Sequence, residues 1–434
     1  MNPAASSEVP PETSPETPPE TSPEGSDASL RDAAEKPGHR LNRRLQQALS
    51  DLESESLRRS LRALPSAGKR VVVDGRELLN LAGNDYLALA EHRRLKAAAA
   101  DAIEQHGVGS GASRLVAGHL DIHARVEREF AAFKHAEAAL IFPTGYTANL
   151  AVLTALPQPG DLICQDKLNH ASLIDAAKYS AAEVRTYPHA PHQPGKPTHH
   201  EKLERLLKQH INASPDAGRW IVTDAVFSMD GDVADLPVLC DMAERYDAVL
   251  VVDEAHGTGV LGETGAGLAE HQGVVGRVPI TVSTASKALG GLGGIVTADR
   301  VVIETLINRG RPMIYSTAVP PAQAAAIGAA VEVVRGEPER RESLSRLSET
   351  LRIRLSKLGW QGLVQAIATP ILPLITGDVE AAMSLQQRLQ DAGVLAVGIR
   401  PPTVAPGSAR VRLSLRADLD KNDLDQVIDA VGSR

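Results

Sequence analysis

An amine, a carboxylate and an imidazole follow two apolar runs in the second half of the chain. The run 249–252 leads into Asp253 and His256, and the run 280–283 leads into Lys287. Buried parallel strands are apolar and β-branched, and ligands bind outside their carboxyl ends, so these groups are expected at one edge of a sheet. A lysine that can form a Schiff base, with an acid to pair with a pyridinium nitrogen, is typical of enzymes that use pyridoxal phosphate (PLP).

The neighbours of Lys287 strengthen this interpretation. A single lysine is usually a solvated surface charge, and a single aspartate at a strand end is usually a helix cap. Here Ser286 precedes the lysine and the small residues of 288–294 follow it, so a planar ligand could approach the backbone. Burial would lower the pKa of the lysine and supply the neutral amine that imine chemistry needs.

A phosphate site is predicted where the apolar run 138–142 ends and a helix begins. Gly145 and Tyr146 open that helix, and hydroxyls of Thr144 and Thr284 would stand near its first backbone N–H groups. Strand–glycine–helix turns are common, so this motif gains weight only beside Lys287 and Asp253. The Tyr146 ring could instead belong to the core.

Three further polar residues stand at strand-to-helix turns. His170 could stack on a pyridine ring and handle a proton, and Ser228 and His256 could hydrogen-bond a phenolic oxygen. For each, capping or an ordinary turn is the simpler interpretation when it is taken alone. Arg400 precedes two prolines in an extended segment, where a guanidinium could hold a carboxylate or form a surface ion pair.

The elements that would position these residues alternate along the middle of the chain. That alternation predicts an α/β fold, with a mostly parallel sheet covered by helices. An amphipathic helix over 41–64 and a hairpin over 71–80 with an Asp-Gly turn come first. After residue 320, two helices, the strand 371–375, the helix 379–392, the strand 409–415 and a closing helix predict a small α/β domain. The predicted strands of the large sheet are 138–142, 162–164, 220–224, 248–253, 280–283 and 294–297.

Composition and charge argue against several classes of binding partner. Six acids and no base fall within residues 1–30, which leaves −2 of the net −8 for the rest, so no basic field points to nucleic acid or anionic membrane. No apolar stretch is long enough to span a bilayer. Cys164 and Cys240 are too few for a disulfide framework, which favours a reducing cytoplasm. The predicted organisation is a disordered arm rich in Pro, Glu, Ser and Thr (1–40), a helix and hairpin (41–83), a large PLP-binding domain (84–330) and a small C-terminal domain (331–434).

Several runs, taken together, resemble the α-oxoamine synthases, a PLP-dependent family of fold type I. The similarity covers about residues 45–432, everything but the acidic arm. The resemblance implies the fold of this family, with a large domain built on a mostly parallel sheet and a small C-terminal α/β domain. The motifs that carry the resemblance are Asn84-Asp85-Tyr86-Leu87, Gly109-Ser110-Gly111-Ala112-Ser113-Arg114, Phe227-Ser228-Met229-Asp230-Gly231-Asp232, Asp253-Glu254-Ala255-His256-Gly257-Thr258-Gly259, Ile314-Tyr315-Ser316-Thr317 and Arg400-Pro401-Pro402-Thr403.

The resemblance implies a role for each matched position. Lys287 would form the Schiff base, Asp253 would pair with the pyridine nitrogen and His170 would stack on the ring, all three as catalytic residues. The other implied cofactor contacts are Gly145, Tyr146, Ser228, His256, Thr284, Ser316 and Thr317. The implied substrate contacts are Arg59, Asn84, His170, Arg400 and Thr403, with Arg58 as the alternative to Arg59. No metal is implied.

The implied reaction is a decarboxylative Claisen-type condensation of L-alanine with a pimeloyl thioester, in biotin biosynthesis. The Ser113-Arg114 pair favours alanine, and the acyl carrier could be coenzyme A or acyl carrier protein. The segment 315–317 would approach the cofactor phosphate of a neighbouring subunit, which implies a homodimer with shared active sites. Two alternatives stay open, because fold alone does not fix function. One is another enzyme of the superfold that uses glycine (2-amino-3-ketobutyrate CoA ligase type) or catalyses aminotransfer. The other is a non-catalytic dimerisation partner.

Overall fold

The computed structural model describes residues 38–189, 200–363 and 365–434. The chain divides into two compact units, one that ends at Arg59 and one that begins at Ser60. The first unit contains helix α1 (His39–Ser54), all of whose residues are exposed. The predicted helix over 41–64 is therefore wrong at its C-terminal end, where Ser56 takes a left-handed φ of 56° that stops the helix. Residues 1–37 of the predicted disordered arm lie outside the described residues, and the last ones, from His39, fall in α1.

The second unit contains all the strands and the other helices that the structure describes. The helices are α2 (Arg93–His106), α3 (Asp121–Phe133), α4 (Gly145–Ala155), α5 (Ala171–Tyr179), α6 (Glu201–Ala213), α7 (Leu236–Arg245), α8 (Leu268–His271), α9 (Arg300–Arg309), α10 (Arg311–Tyr315), α11 (Pro321–Gly336), α12 (Glu339–Lys357), α13 (Val379–Asp391) and α14 (Lys421–Val431), with a π-helical turn at Arg114–Gly118 and a 3₁₀ turn at Val275–Arg277. The strands are β1 (Arg70–Val73), β2 (Arg76–Asn80), β3 (Ala138–Phe142), β4 (Leu162–Asp166), β5 (Glu183–Tyr187), β6 (Arg219–Asp224), β7 (Val249–Asp253), β8 (Ile280–Thr284), β9 (Gly294–Ala298), β10 (Ile371–Gly377), β11 (Val394–Leu395), β12 (Val397–Ile399) and β13 (Ala409–Ser414).

A seven-stranded sheet in the order β3-β9-β8-β7-β6-β4-β5 forms the centre of this unit. Only β9 runs antiparallel to its neighbours, so the other six strands end at one edge. The mostly parallel sheet and its six predicted strands are confirmed. The edge strand β5 was not predicted, because its residues are largely exposed and it lacks an apolar run.

Both faces of this sheet are apolar, and this explains why helices pack against each face. Along β7, Val251 packs in one core with residues of α4 and α5, whereas Leu250 and Val252 pack in the other core. Each such side chain stabilises the fold by about 1.5–3 kcal/mol when fully buried. Packing on both faces therefore holds β7 in position. This packing also sets the position of Asp253 at the end of the strand.

The amino-terminal hairpin belongs to the same layer as part of the C-terminal region. Asp74 and Gly75 both take positive φ values, 51° and 76°, which suit the predicted two-residue turn. Strand β2 pairs in parallel with β11, where Leu79 faces Val394. A second three-stranded sheet, β10-β13-β12, is formed by other strands of the C-terminal region. The predicted grouping of this hairpin with the preceding helix stays a prediction. The predicted domain boundary after residue 330 falls within α11, and the division into a large and a small domain stays a prediction.

None of the helices in the described ranges combines the length and the apolar character needed to cross a membrane.

Gly294, the first residue of β9, sets how closely that strand approaches the start of α4. A Cβ atom there would lie 2.3 Å from the Thr144 carbonyl oxygen and 2.7 Å from the Gly145 Cα. We expect Gly294→Ala to lower the free energy of unfolding by about 1–3 kcal/mol, because α4 must shift. Gly336→Ala, where nothing lies within 4 Å, is the control and should change stability by less than about 0.5 kcal/mol. Chemical denaturation of both variants measures the difference, and equal stability would contradict this packing.

Candidate active site

A cavity of about 180 Å³ opens at the edge where the parallel strands end. Loops that follow β3, β4, β6, β7 and β8 supply its walls, as expected for a ligand site in an α/β sheet. The residues that line it are Thr144, Gly145, Tyr146, His170, Ser172, Asp224, Ser228, Asp253, Ala255, His256, Thr284, Ser286 and Lys287. The structure therefore brings together most of the residues predicted to bind the cofactor.

Lys287 stands in the tight loop between β8 and β9. The loop is closed by hydrogen bonds from the Ala285 N–H to the Gly293 carbonyl (2.8 Å) and from the Gly290 N–H to the Lys287 carbonyl (2.9 Å). Burial lowers the pKa of the Lys287 amine, and the nearby Asp253 carboxylate opposes that shift. The amine therefore releases its proton more readily than an exposed lysine does.

Two N–H donors fix the Asp253 carboxylate at the end of β7. Oδ1 accepts from the Ala255 backbone N–H at 2.8 Å, and Oδ2 accepts from the Asn149 side chain at 2.6 Å. A buried acid held in this way can face a protonated ring nitrogen without rotating.

His170 is the N-cap of α5 and lines the same cavity. Its backbone N–H donates to Asp224 Oδ2 at 2.6 Å, and its Nδ1 lies 2.7 Å from Ser172 Oγ. Burial lowers the pKa of His170, although Asp253 opposes the shift. The pKa of Asp224 is raised well above its usual range, first by burial and then by the charge of Asp253. Burial therefore favours the neutral form of this imidazole.

His256 is buried, and it is held by a network that leads away from the cavity. Its Nδ1 lies 2.7 Å from the Tyr86 hydroxyl, which in turn lies 3.2 Å from Asn84 Oδ1. Arg412 of β13 donates to Asn84 Oδ1 at 2.8 Å and to the Ser228 carbonyl at 3.0 Å. Burial lowers the pKa of His256 well below its usual range. Asn84 therefore stands behind His256 and is not among the cavity-lining residues.

The predicted phosphate side is formed by the start of α4 and the end of β8. Thr144 caps α4 by accepting from the Thr147 N–H at 3.1 Å, and the helix begins at Gly145. Thr284 Oγ1 lies 2.8 Å from Ser286 Oγ, and it would contact any Cβ added at Gly145 at 3.6 Å. Hydroxyl groups beside a helix N-terminus form an anion site. The Tyr146 ring is 43% exposed, and its hydroxyl donates to Asp175 at 2.7 Å, so its ring is not part of the core.

Other predicted residues are not among those that line this cavity. Thr317 pairs with Ser113, and Ser316 lies just before it at the end of α10. Arg400 follows β12, where its Nη1 contacts Met383 Sδ at 3.3 Å, and the Thr403 N–H donates to the Arg400 carbonyl. Arg59 belongs to the first unit. The roles assigned to the predicted site residues, inside and outside the cavity lining, stay predictions.

Sequence reasoning missed several polar residues of the site. Asp224 ends a predicted strand, as Asp253 does, so the same signal was available. Asn149 is the one strongly polar side chain in the apolar stretch 148–153 of α4. Arg412 is buried in a strand of alternating pattern, where a charged side chain needs a partner. Ser172 and Ser286 carry no signal of their own, because small hydroxyl residues are frequent at turns.

A charged histidine holds the loop that carries Ser228. His189 Nε2 lies 2.8 Å from Asp232, and its Nδ1 lies 3.1 Å from Asp166 at the end of β4. Its ring packs edge-on against Phe227, with 4.2 Å between the ring centres. Although burial opposes it, pairing with the two carboxylates raises the pKa of His189 to about 10. The loop 227–232 is therefore tied to the sheet by a protonated imidazole at neutral pH.

The lining matches what PLP presents to a protein. The amine of Lys287 can meet an aldehyde, Asp253 a pyridine nitrogen, the His170 ring an aromatic face and the start of α4 a phosphate. Each of these protein groups matches a different part of PLP, so the residues present fit the cofactor.

Comparisons with known proteins agree with this geometry. The sequence model of the family described as aminotransferase class I and II matches residues 76–431. The 8-amino-7-oxononanoate synthase of Geobacter sulfurreducens is 45% identical over 388 residues, which cover 88% of this chain and 95% of that protein. The enzyme of the same name from Symbiobacterium thermophilum is 43% identical over 387 residues, with 89% and 96% covered. A serine palmitoyltransferase from S. paucimobilis, solved with PLP bound as an adduct of myriocin, has a TM-score of 0.81 and 26% identity, and the match covers 89% of this chain and 95% of that one.

The chain belongs to the α-oxoamine synthase family. Its fold, a large mostly parallel sheet of the PLP-dependent fold type I, is confirmed by these matches, and PLP is its cofactor. The expectation of an enzyme is confirmed as well, because the relatives are PLP-dependent acyltransferases.

The His189 pairing gives a stability that depends on pH. Its pKa is raised in the folded chain, so the stabilisation is complete below the ordinary value of about 6.5 and is lost as pH rises through about 10. We expect His189→Gln to lower the urea midpoint markedly near pH 6 and only slightly above pH 10. His271→Gln, at an exposed position in α8, is the control. An effect of His189→Gln that is equal at both pH values would contradict the charged pairing.

Proposed function

We propose that this chain is an 8-amino-7-oxononanoate synthase, which joins L-alanine to a pimeloyl thioester with loss of CO₂. The observation that carries the proposal is the similarity to curated synthases of that name over 95–96% of their length. The cavity adds chemical support, because an amine, a buried acid and an imidazole line it together.

When bound, PLP withdraws electrons from the carbon next to the amino group of the substrate. Lys287 would hold the cofactor, and its free amine would accept the Cα proton of the substrate at Nζ. Its lowered pKa suits this task, because a neutral amine is needed near pH 7. Asp253 would pair with the ring nitrogen of the cofactor, and its two N–H donors hold the carboxylate in place.

The substrate side is assigned by family resemblance. Arg400 would hold the carboxylate of alanine, and Arg59, Asn84 and Thr403 would complete the substrate contacts. Binding alanine and the thioester together contributes mainly through orientation. The acyl carrier is coenzyme A or acyl carrier protein.

The active sites are shared in a homodimer, in this proposal. Ser316 and Thr317 would reach the cofactor phosphate of a second copy. In support, Val116 and Tyr315 are 80% and 70% exposed, and their segments are joined by the bridge between Ser113 and Thr317. Apolar side chains so exposed on adjacent segments mark an interaction surface. A cytoplasmic location is proposed because Cys164 and Cys240 are unpaired and buried.

Product mass tests the proposed substrates. The protein loaded with PLP is incubated with L-alanine, glycine or L-serine, each with pimeloyl-CoA, palmitoyl-CoA or acetyl-CoA. We expect the alanine and pimeloyl-CoA mixture to give 8-amino-7-oxononanoate at least about tenfold faster than any other pair. Pimeloyl-acyl carrier protein in place of the CoA thioester identifies the carrier. Preferred turnover of glycine would favour the 2-amino-3-ketobutyrate CoA ligase type, and a preference for serine and palmitoyl-CoA would favour serine palmitoyltransferase chemistry.

Lys287 is tested by covalent trapping. Borohydride reduction of the PLP-loaded protein should place the pyridoxyl mass on the peptide that contains Lys287. We expect Lys287→Ala to abolish turnover, whereas Lys178→Ala, an exposed lysine of α5, should retain it. Turnover by Lys287→Ala, or trapping at another lysine, would contradict the mechanism. A wild-type protein that stays colourless with added PLP would favour a non-catalytic dimerisation partner.

A further inference from the structure

A chain of hydrogen bonds joins Asp253 to His170 through two residues that have no assigned role. The Asn149 side-chain nitrogen lies 2.6 Å from Asp253 Oδ2 and 2.9 Å from Ser172 Oγ. Ser172 Oγ lies 2.7 Å from His170 Nδ1. Asn149 and Ser172 are buried, with 1% exposure each, so water does not compete for these contacts.

The direction of each hydrogen bond follows from what its atoms can donate. As a carboxylate, Asp253 only accepts, so the Asn149 atom beside it must be the amide nitrogen. That nitrogen never accepts, so its second N–H is donated to Ser172 Oγ. The Ser172 hydroxyl keeps its own proton, which it can donate to His170 Nδ1.

A second donor also requires His170 to accept a hydrogen bond at Nδ1. The Ser172 backbone N–H points at His170 Nδ1 from 3.2 Å, where the imidazole caps the first turn of α5. A backbone N–H can only donate. Two donors therefore converge on Nδ1, which must accept, and the ring proton resides on Nε2.

We propose that Asn149 and Ser172 are positioning residues that hold His170 as its Nε2–H tautomer, which makes this residue a neutral hydrogen-bond donor in the active site and not a proton acceptor. Protonating Nδ1 would set its N–H against the Ser172 backbone N–H and would force the Ser172 hydroxyl proton to turn away from the ring. The groups that face His170 are Asp253 and Asp175, which favour its charged form, and Lys287, which opposes it. Burial outweighs them and lowers the pKa of His170, in agreement with a neutral ring.

The tautomer has a consequence for catalysis that rests on the proposed function. An Nε2–H donor can bind a carbonyl or carboxylate oxygen of the substrates, but it cannot remove the Cα proton. That step is then assigned to Lys287 and not to His170. The Asp253 carboxylate determines this outcome from a distance, because it orients the amide that orients the hydroxyl.

The tautomer can be measured directly. Full-length protein labelled with ¹⁵N at the histidine rings is studied by magic-angle-spinning NMR at pH 7, without PLP and with PLP. The His170 signals are assigned by their loss in His170→Gln. We expect an unprotonated Nδ1 and a protonated Nε2 in both samples. A protonated Nδ1, whether in the other tautomer or in an imidazolium, would overturn the proposal.

Variants separate positioning from simple structural support. Ser172→Ala removes one donor to Nδ1, and Asn149→Leu removes the amide that directs the hydroxyl. We expect each to raise the pKa of His170, to add an acid limb to the pH profile of kcat below about pH 6.5, and to lower kcat about tenfold at pH 7. Ser180→Ala and Asn212→Leu, at the end of α5 and on the surface of α6, should leave the profile unchanged. A parallel fall in kcat at every pH, with unchanged ring signals, would overturn the positioning role.

The two proposals fail in different ways. If the Nε2–H tautomer is found but alanine and pimeloyl thioester give no product, the proposed substrates are wrong and the positioning role stands. If the product forms while Nδ1 carries the proton, the positioning role is wrong and the function stands.

Discussion

The site depends on a buried carboxylate that is held still. Asp253 emerges from the central strand β7 and accepts hydrogen bonds from Asn149 and Ala255. Leaving a buried charge without such partners would cost several kcal/mol, so the donors are required by the fold as well as by the chemistry. The same Asn149 side chain then passes a constraint to Ser172 and His170. One electrostatic requirement thereby organises groups on three separate elements.

A second layer of support comes from the C-terminal sheet. Arg412 and Arg410 are buried side chains of β13, and both reach the loop that carries Ser228. Arg412 donates to the Ser228 carbonyl, and Arg410 donates to the Met229 carbonyl and pairs with Asp230. Because a buried guanidinium must use its donors, these arginines hold β13 and the loop in one arrangement. The loop that carries Ser228, a residue of the cavity lining, is thus positioned by the C-terminal sheet.

The strongest sequence signals came from the strands that end at the site. Apolar runs followed by Asp253 and Lys287 predicted both the parallel sheet and the edge at which these side chains meet, because burial on both faces allows few other interpretations. The roles of Asn149 and Ser172 could not be predicted from the sequence. They depend on hydrogen bonds between residues of three separate elements. Strand β5 was missed because a solvated edge strand carries no periodic signal. The end of α1 was missed because the charged residues after Ser54 continue a helical pattern while Ser56 leaves helical φ values.

The pairing of β2 with β11 determines when this protein can finish folding. The two partners, around Leu79 and Val394, are separated by most of the polypeptide. Contacts between such distant segments are slow to form, because a long loop must close first. On the ribosome, the hairpin leaves the exit tunnel long before its partner strand has been translated. Until then β2 presents an unpaired edge, which is a liability for association between nascent chains.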